Sequence, residues 1–205
     1  IAGAEGAEAY SAALVPFLPG YSLQTAEDTL YSEVSRGSAV VCFDVQAIPA
    51  LERGIGRYWY PHVTATVILA VDRSRTDAAV TGWNSLWDSP VPIGISSSSA
   101  IRNMLALGAL SYGLDREAPS KRDALELLEH LGQNGNFRLE APDAPILICL
   151  DCEAAAWNRN GGNYEIIVPA EGTLSCRMGL LSDVPLTLEP GLDETLLSAG
   201  LPLAD

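Results

Sequence analysis

Two carboxylates stand where an α/β protein would present them to a ligand. Asp151 follows Ile146-Leu147-Ile148-Cys149-Leu150, a short, continuously apolar run that reads as a fully buried parallel strand. It would lie at the carboxyl end of that strand and cap a helix beginning near Glu153. Open α/β sheets bind their ligands at that end. Glu171 lies in Val168-Pro169-Ala170-Glu171-Gly172-Thr173, after a second strand, Tyr164 to Val168, which Pro169 stops. Asp44 closes a third apolar run, Ala39 to Phe43, in the same way. Carboxylates at strand ends suggest recognition of something polar or cationic.

Other residues point elsewhere. Ser96, Ser97, Ser98 and Ser99 precede a helix and could cradle an anion with hydroxyls, amides and the helix dipole; ordinary capping needs only one of them. Arg57-Tyr58-Trp59-Tyr60-Pro61-His62 reads as a loop whose aromatics either pack under a long connection or wall a cleft, with Tyr60 facing a ligand. Cys149 and Cys152 form a C-x-x-C, a redox pair or half a metal site, with only His62 and His130 to complete it. Cys42 and Cys149 fall inside buried strands as inert core residues. Gly54-Ile55-Gly56 lacks the third glycine of a dinucleotide site. No G-x-S-x-G, H-E-x-x-H or phosphate loop occurs, so the expectation is no enzyme, no cofactor and no metal.

The elements that must hold these residues alternate between strand and helix. Ala7 to Leu18, Glu27 to Ser35, Ile48 to Arg53, Ala100 to Tyr112 and Lys121 to Leu131 read as helical. Of these, the fourth carries apolar Ile101, Met104, Leu105, Leu107 and Leu110. The fifth is capped by Ser120, with Leu125, Leu127 and Leu128 inward. Tyr21 to Ala26, Thr64 to Val71 and Val91 to Ile95 read as strands, and Trp83 to Trp87 as a helical turn. The pattern predicts α/β architecture with largely parallel sheets. Twelve basic against twenty-six acidic residues give a net charge of −14, which excludes nucleic acid and anionic membranes as partners. That acidity serves solubility or, on a sharper reading, a cationic ligand. No apolar run reaches the roughly 18 residues of a membrane span, so no direct membrane insertion is expected. The sequence contains no signal peptide, which fits a cytosolic protein or a mature exported one trimmed at its start.

The order of these features resembles the extracellular solute-binding proteins of ABC transporters, type 2 periplasmic-binding fold, spermidine/putrescine and ferric-iron branch. Ser38 to Asp44, Tyr60-Pro61-His62 with its following strand, Trp83 to Trp87 before Ile93-Gly94-Ile95, and Ile148 to Trp157 carry the likeness. So does Val168-Pro169-Ala170-Glu171-Gly172-Thr173, close to the family's Val-Pro-x-Glu-Gly-Thr. The resemblance implies a two-lobed α/β protein with mixed, mostly parallel sheets and flanking helices. One lobe would comprise 1–74 plus 174–205 and the other 75–173, with ligand captured between them by hinge closure. It implies ligand contacts at Asp44, Tyr60, Ser97, Ser98, Ser99, Asp151 and Glu171. It also implies a small-molecule solute, an ABC transporter permease as partner, and an extracytoplasmic location. The family's first strand is reduced to Ile1-Ala2-Gly3, and its carboxy-terminal helices give way to a Pro-rich tail. The expected function is capture of a small polar, polyamine-like solute; a thiol redox protein using Cys149 and Cys152, or a ligand-free interaction module, are the alternatives.

Overall fold

A computed structural model describes residues 5–25, 34, 38–96, 99–139, 141 and 143–204. The chain divides into two compact units, Thr66–Ser175 and the discontinuous Ile1–Ala65 with Cys176–Asp205. Apart from Val34, the helix expected at 27–35 lies outside the described residues, as do the strand expected at 1–3 and Ser97 and Ser98.

In the discontinuous unit, helix α1 (Glu5–Leu14) leads to strand β1 (Ser22–Thr25), which pairs in parallel with β2 (Ser38–Phe43). Strand β2 is buried throughout because β8 (Ser175–Ser182) pairs antiparallel on its other side, Val41 opposite Leu180. Beyond β8 runs the first part of β3 (Tyr58–Asp72). Helix α2 (Asp44–Glu52) springs directly from β2 and covers it. Their apolar sides form one core of Val40, Cys42, Ala47, Ala50 and Leu181, with Trp59 and Ile55 against it. Helix α6 (Leu192–Ser198) packs on α1.

The contiguous unit is built on the rest of β3. Strand β6 (Ile146–Leu150) pairs antiparallel on one side of it and β7 (Tyr164–Ile167) on the other. Strand β4 (Ile93–Ile95) lies parallel to β6, and β5 (Phe137–Arg138) parallel to β4. Between these strands come α3 (Ala100–Leu114), α4 (Lys121–Gln133) and α5 (Asp151–Arg159). Ile68, Ala70, Leu147, Cys149 and Ala154 form the core under α5, flanked by Trp157 and Tyr164. The architecture is α/β, as the alternation predicts, but the strand pairing is mixed rather than largely parallel, because β8 pairs antiparallel with β2, and β6 and β7 with β3. No helix among the described residues is long and apolar enough to cross a membrane.

Three readings change. The aromatic segment is the start of β3 and not a loop: alternation sends Trp59 into the core and stacks Tyr58 on Tyr60, ring centroids 6.5 Å apart. Pro61 is tolerated because Gly179 of β8 lets the two backbones approach closely; a Cβ there would collide with the Tyr60 carbonyl. The tail is less irregular than its prolines suggest, holding β8 and α6. Finally, Leu125 is 54% and Met104 48% exposed. The buried stripe of α4 is Ala124, Leu127 and Leu131, a three-and-four spacing that Leu125 does not share.

Glycine substitutions separate the two kinds of position. Gly179→Ala should lower unfolding stability by roughly 1–3 kcal/mol through overpacking against β3. Gly132→Ala, exposed in α4 with no atom within 4 Å of the added methyl, should raise it by about 0.5–1 kcal/mol. Urea denaturation measures both; a Gly179→Ala protein as stable as its parent would show that β3 and β8 do not meet so closely.

Candidate functional site

Strands β4 and β6 run parallel with Ile95 opposite Ile148, so their carboxyl ends lie at one edge of the contiguous unit's sheet. There the chain turns into α3 and α5, and both helices begin at that edge. The Ser96 amide donates to the Ile148 carbonyl (3.3 Å), and Ser99 occupies the N-cap of α3 in extended conformation. Its hydroxyl does not cap the helix amides.

The strongest local interaction at this edge involves two residues that the sequence reading passed over. Arg102, in the first turn of α3, forms an ion pair with Glu153 in the first turn of α5. They are 5% and 2% exposed. Glu153 Oε2 also accepts the Leu150 amide (2.8 Å) and the Ser96 hydroxyl (3.4 Å). One carboxylate thus ties together the ends of β6 and β4 and the starts of α5 and α3. A signal existed, since Arg102 is the sole charged residue of α3 and Glu153 sits three places after Leu150, where a capping box needs an acceptor. Beside the pair is a cavity of about 10 Å³ lined by Ser96, Arg102, Val67, Cys149 and Leu150, room for about one water.

Asp151 stands at the same edge. Its Oδ1 accepts the Thr66 amide (3.1 Å) and the Cys152 amide (2.7 Å), pinning β3 to the start of α5. Burial raises its pKa, and the bonds from Thr66 and Cys152 only partly offset that. Because the folded value lies above the unfolded one, ionised Asp151 costs stability at neutral pH, and the cost is shed as pH falls through the folded value. Asp44 repeats the design in the discontinuous unit. It opens α2, accepts the Val45 amide through Oδ1 (2.9 Å) and holds the Arg177 amide (3.1 Å) and guanidinium through Oδ2. Gln46 accepts the Phe43 amide (3.1 Å), just as Glu153 serves Leu150.

Glu171 is elsewhere in the contiguous unit. Its two oxygens accept the Trp83 amide (3.2 Å) and the Asn84 amide (2.8 Å), capping the 3₁₀ turn Trp83–Leu86 over the space left by Gly82. Trp83, fully buried, donates through Nε1 to the Gly172 carbonyl (2.8 Å). Tyr60 lies in the discontinuous unit, where its hydroxyl accepts the Leu186 amide (3.0 Å). The fold therefore brings Ser96, Ser99 and Asp151 to one sheet edge, while Glu171, Asp44 and Tyr60 serve other segments.

None of the four cysteines is in a disulfide, and all four are buried. Burial is the main cause of raised pKa at three of them: Cys152 is pushed up to about 12 and Cys149 well above its ordinary value. Cys42 rises too. Thiols held protonated in this way are poor nucleophiles. Among the described residues no cluster of His, Cys, Asp and Glu could hold a metal ion.

No protein-family model matches the sequence, and no curated protein matches it. Solved structures do. The PBP AgtB from A. tumefaciens R10, solved with agropinic acid, aligns at TM-score 0.64 and 12% identity, over 96% of this chain and 73% of that one. The sulfate-binding protein SubI from Mycobacterium tuberculosis H37Rv gives 0.58 and 13%, over 87% and 79%. A Listeria monocytogenes protein assigned to spermidine/putrescine ABC transport gives 0.52 and 15%, over 78% and 61%. At these identities the likeness establishes the fold, that of type 2 periplasmic-binding proteins.

Glu153→Gln should cost about 3–5 kcal/mol by leaving Arg102 buried without its counter-charge. Arg102→Met combined with Glu153→Gln should recover much of that loss in urea denaturation. A double variant no more stable than Glu153→Gln alone would show that the pair does not bind the two helix starts. The thiols should react with Ellman's reagent only when the protein unfolds; two fast-reacting thiols in the native state would revive the redox alternative.

Proposed function

We propose that the chain is a solute-binding protein that captures a small polar molecule at the carboxyl edge of β4 and β6 and delivers it to an ABC transporter permease or a sensor outside the cytoplasm. The observation that carries this reading is the juxtaposition of two helix starts, serine hydroxyls and the Asp151 carboxylate at one end of parallel strands. In α/β folds, ligands bind at that position. The fold likeness supports it only by analogy, since fold alone does not fix function.

Within this reading Asp151 takes a ligand ammonium, and Ser99, with Ser97 and Ser98 before it, takes hydroxyl or oxyanion groups. Charge-assisted bonds of this kind contribute roughly 1.5–3 kcal/mol each. Glu171 lies away from this edge, where its two oxygens hold the Trp83 and Asn84 amides, so it is assigned to shaping the protein. Asp44 and Tyr60 are likewise tied to Arg177 and Leu186. A second reading, an oxyanion ligand, is favoured by the start of α3 and the serines that precede it.

A thermal-shift screen of the full chain against polyamines, amino acids, sugars, sulfate, phosphate and ferric iron tests both. A ligand at about 100 times its Kd adds about 2.7 kcal/mol, a rise of roughly 5–10 °C for a protein of this size. An ammonium ligand whose shift Asp151→Asn abolishes supports the first reading. An oxyanion shift lost in Ser99→Ala supports the second. Binding untouched by either substitution would remove the site from this edge, and the absence of any shift would favour the ligand-free module.

A further inference from the structure

His62 is the point where three peripheral segments of the discontinuous unit meet its sheet. Around it on β3, the His62 carbonyl accepts the Ala204 amide (2.9 Å) and the Thr64 amide donates to the Pro202 carbonyl (2.9 Å). Val63 pairs with Leu203. The imidazole turns toward α1, with Nδ1 at 2.5 Å from the Tyr10 hydroxyl and ring centroids 6.0 Å apart. Tyr10 and Leu14, one turn apart on α1, are both 0% exposed; they are the helix's anchors. Helix α1 rests in turn on α6, which brings Asp193 to bear on the imidazole.

The protons on this contact can be assigned. Burial keeps the Tyr10 phenol protonated well above its ordinary range, and among the described residues Nδ1 is the partner its hydroxyl has. The hydroxyl therefore donates, Nδ1 accepts, and the neutral ring carries its proton on Nε2. Burial pulls the His62 pKa below its ordinary value, and Asp193 opposes that pull. Among the described residues, the titratable groups that bear on the pair are Asp193 and Cys42 of β2; the described carboxy-terminal residues Pro202, Leu203 and Ala204 contribute backbone and apolar side chains.

We propose that His62 is an acid-sensitive latch for α1: an imidazolium has no lone pair for the Tyr10 hydroxyl, so acidification releases the helix while the sheet beneath stays folded. Protonation also places a charge in a mostly buried site and strands a buried donor, and both act against docking. The contact is complete above pH 6.5, the value of a free imidazole, and is lost as pH falls through the lower folded value.

Amide hydrogen exchange on the full chain at about pH 7.5 and about pH 5 tests the latch. After correction for intrinsic rates, protection of the Tyr10–Leu14 amides should fall by about tenfold or more on acidification, while β6 and α3 keep theirs. His62→Asn supplies an acceptor that does not titrate and should keep α1 protected at both pH values. Asp193→Asn should move the loss to lower pH. Protection of α1 that is unchanged in the parent, or that falls equally in His62→Asn, overturns the proposal. Should His62→Asn not fold, Tyr10→Phe decides. It should show at neutral pH the weak protection the parent shows in acid, and full protection would overturn the latch.

Discussion

A helix that springs straight from a buried strand begins with amides that neither the strand ladder nor water can satisfy. Every element at the candidate site depends on how this chain meets that constraint. In both units the answer is a strand ending in an apolar residue, an aspartate at the first helical position and a Gln or Glu two places later. Phe43-Asp44-Val45-Gln46 and Leu150-Asp151-Cys152-Glu153 are the two versions. In each, the third helical side chain reaches back to the amide before the helix, and the aspartate covers its own successor and one amide of another strand. The carboxylates sit at the sheet edge first because the backbone requires them there. Any ligand contact is a second use of the same atoms.

The two versions differ in one charge. Gln46 is neutral, whereas Glu153 brings a buried anion that Arg102 must balance. An ion pair removed from water seldom adds net stability over apolar packing. Its return here is geometric, fixing two helix starts that approach the sheet separately. Ser96 and Asp151 are then carried on helix starts and strand ends that this pair ties together.

Much of this was legible in the sequence. Continuous apolar runs mark β2 and β6 without ambiguity, and Ser120 caps α4 through the Arg122 amide as its position suggests. The aromatic start of β3 was hidden by Pro61, because tolerance of that proline depends on Gly179, far away in the chain. Strand β8 was passed over although Ser175-Cys176-Arg177-Met178 alternates polar and apolar and is exposed and buried in step; the alternation is short and gives way at Gly179, after which burial comes from pairing with β2. Candidate residues were singled out by type and position, without the bonds that already engage them. Sequence shows that Glu171 ends a strand segment, but not that Trp83 and Asn84 already fill its oxygens. Arg102 and Glu153 are adjacent only in three dimensions.

The division of the chain also sets an order for its making. Residues 66–175 form one continuous unit, so during synthesis every strand of that sheet has left the ribosome before the other unit can be completed. The discontinuous unit must keep one edge of β2, with only β1 beside it, open until β8 emerges after the whole contiguous unit. Such late pairing across a long sequence separation is slow and leaves a sticky strand exposed in the meantime. Nascent-chain quality control would therefore meet this protein as a folded middle carrying an unfinished flank.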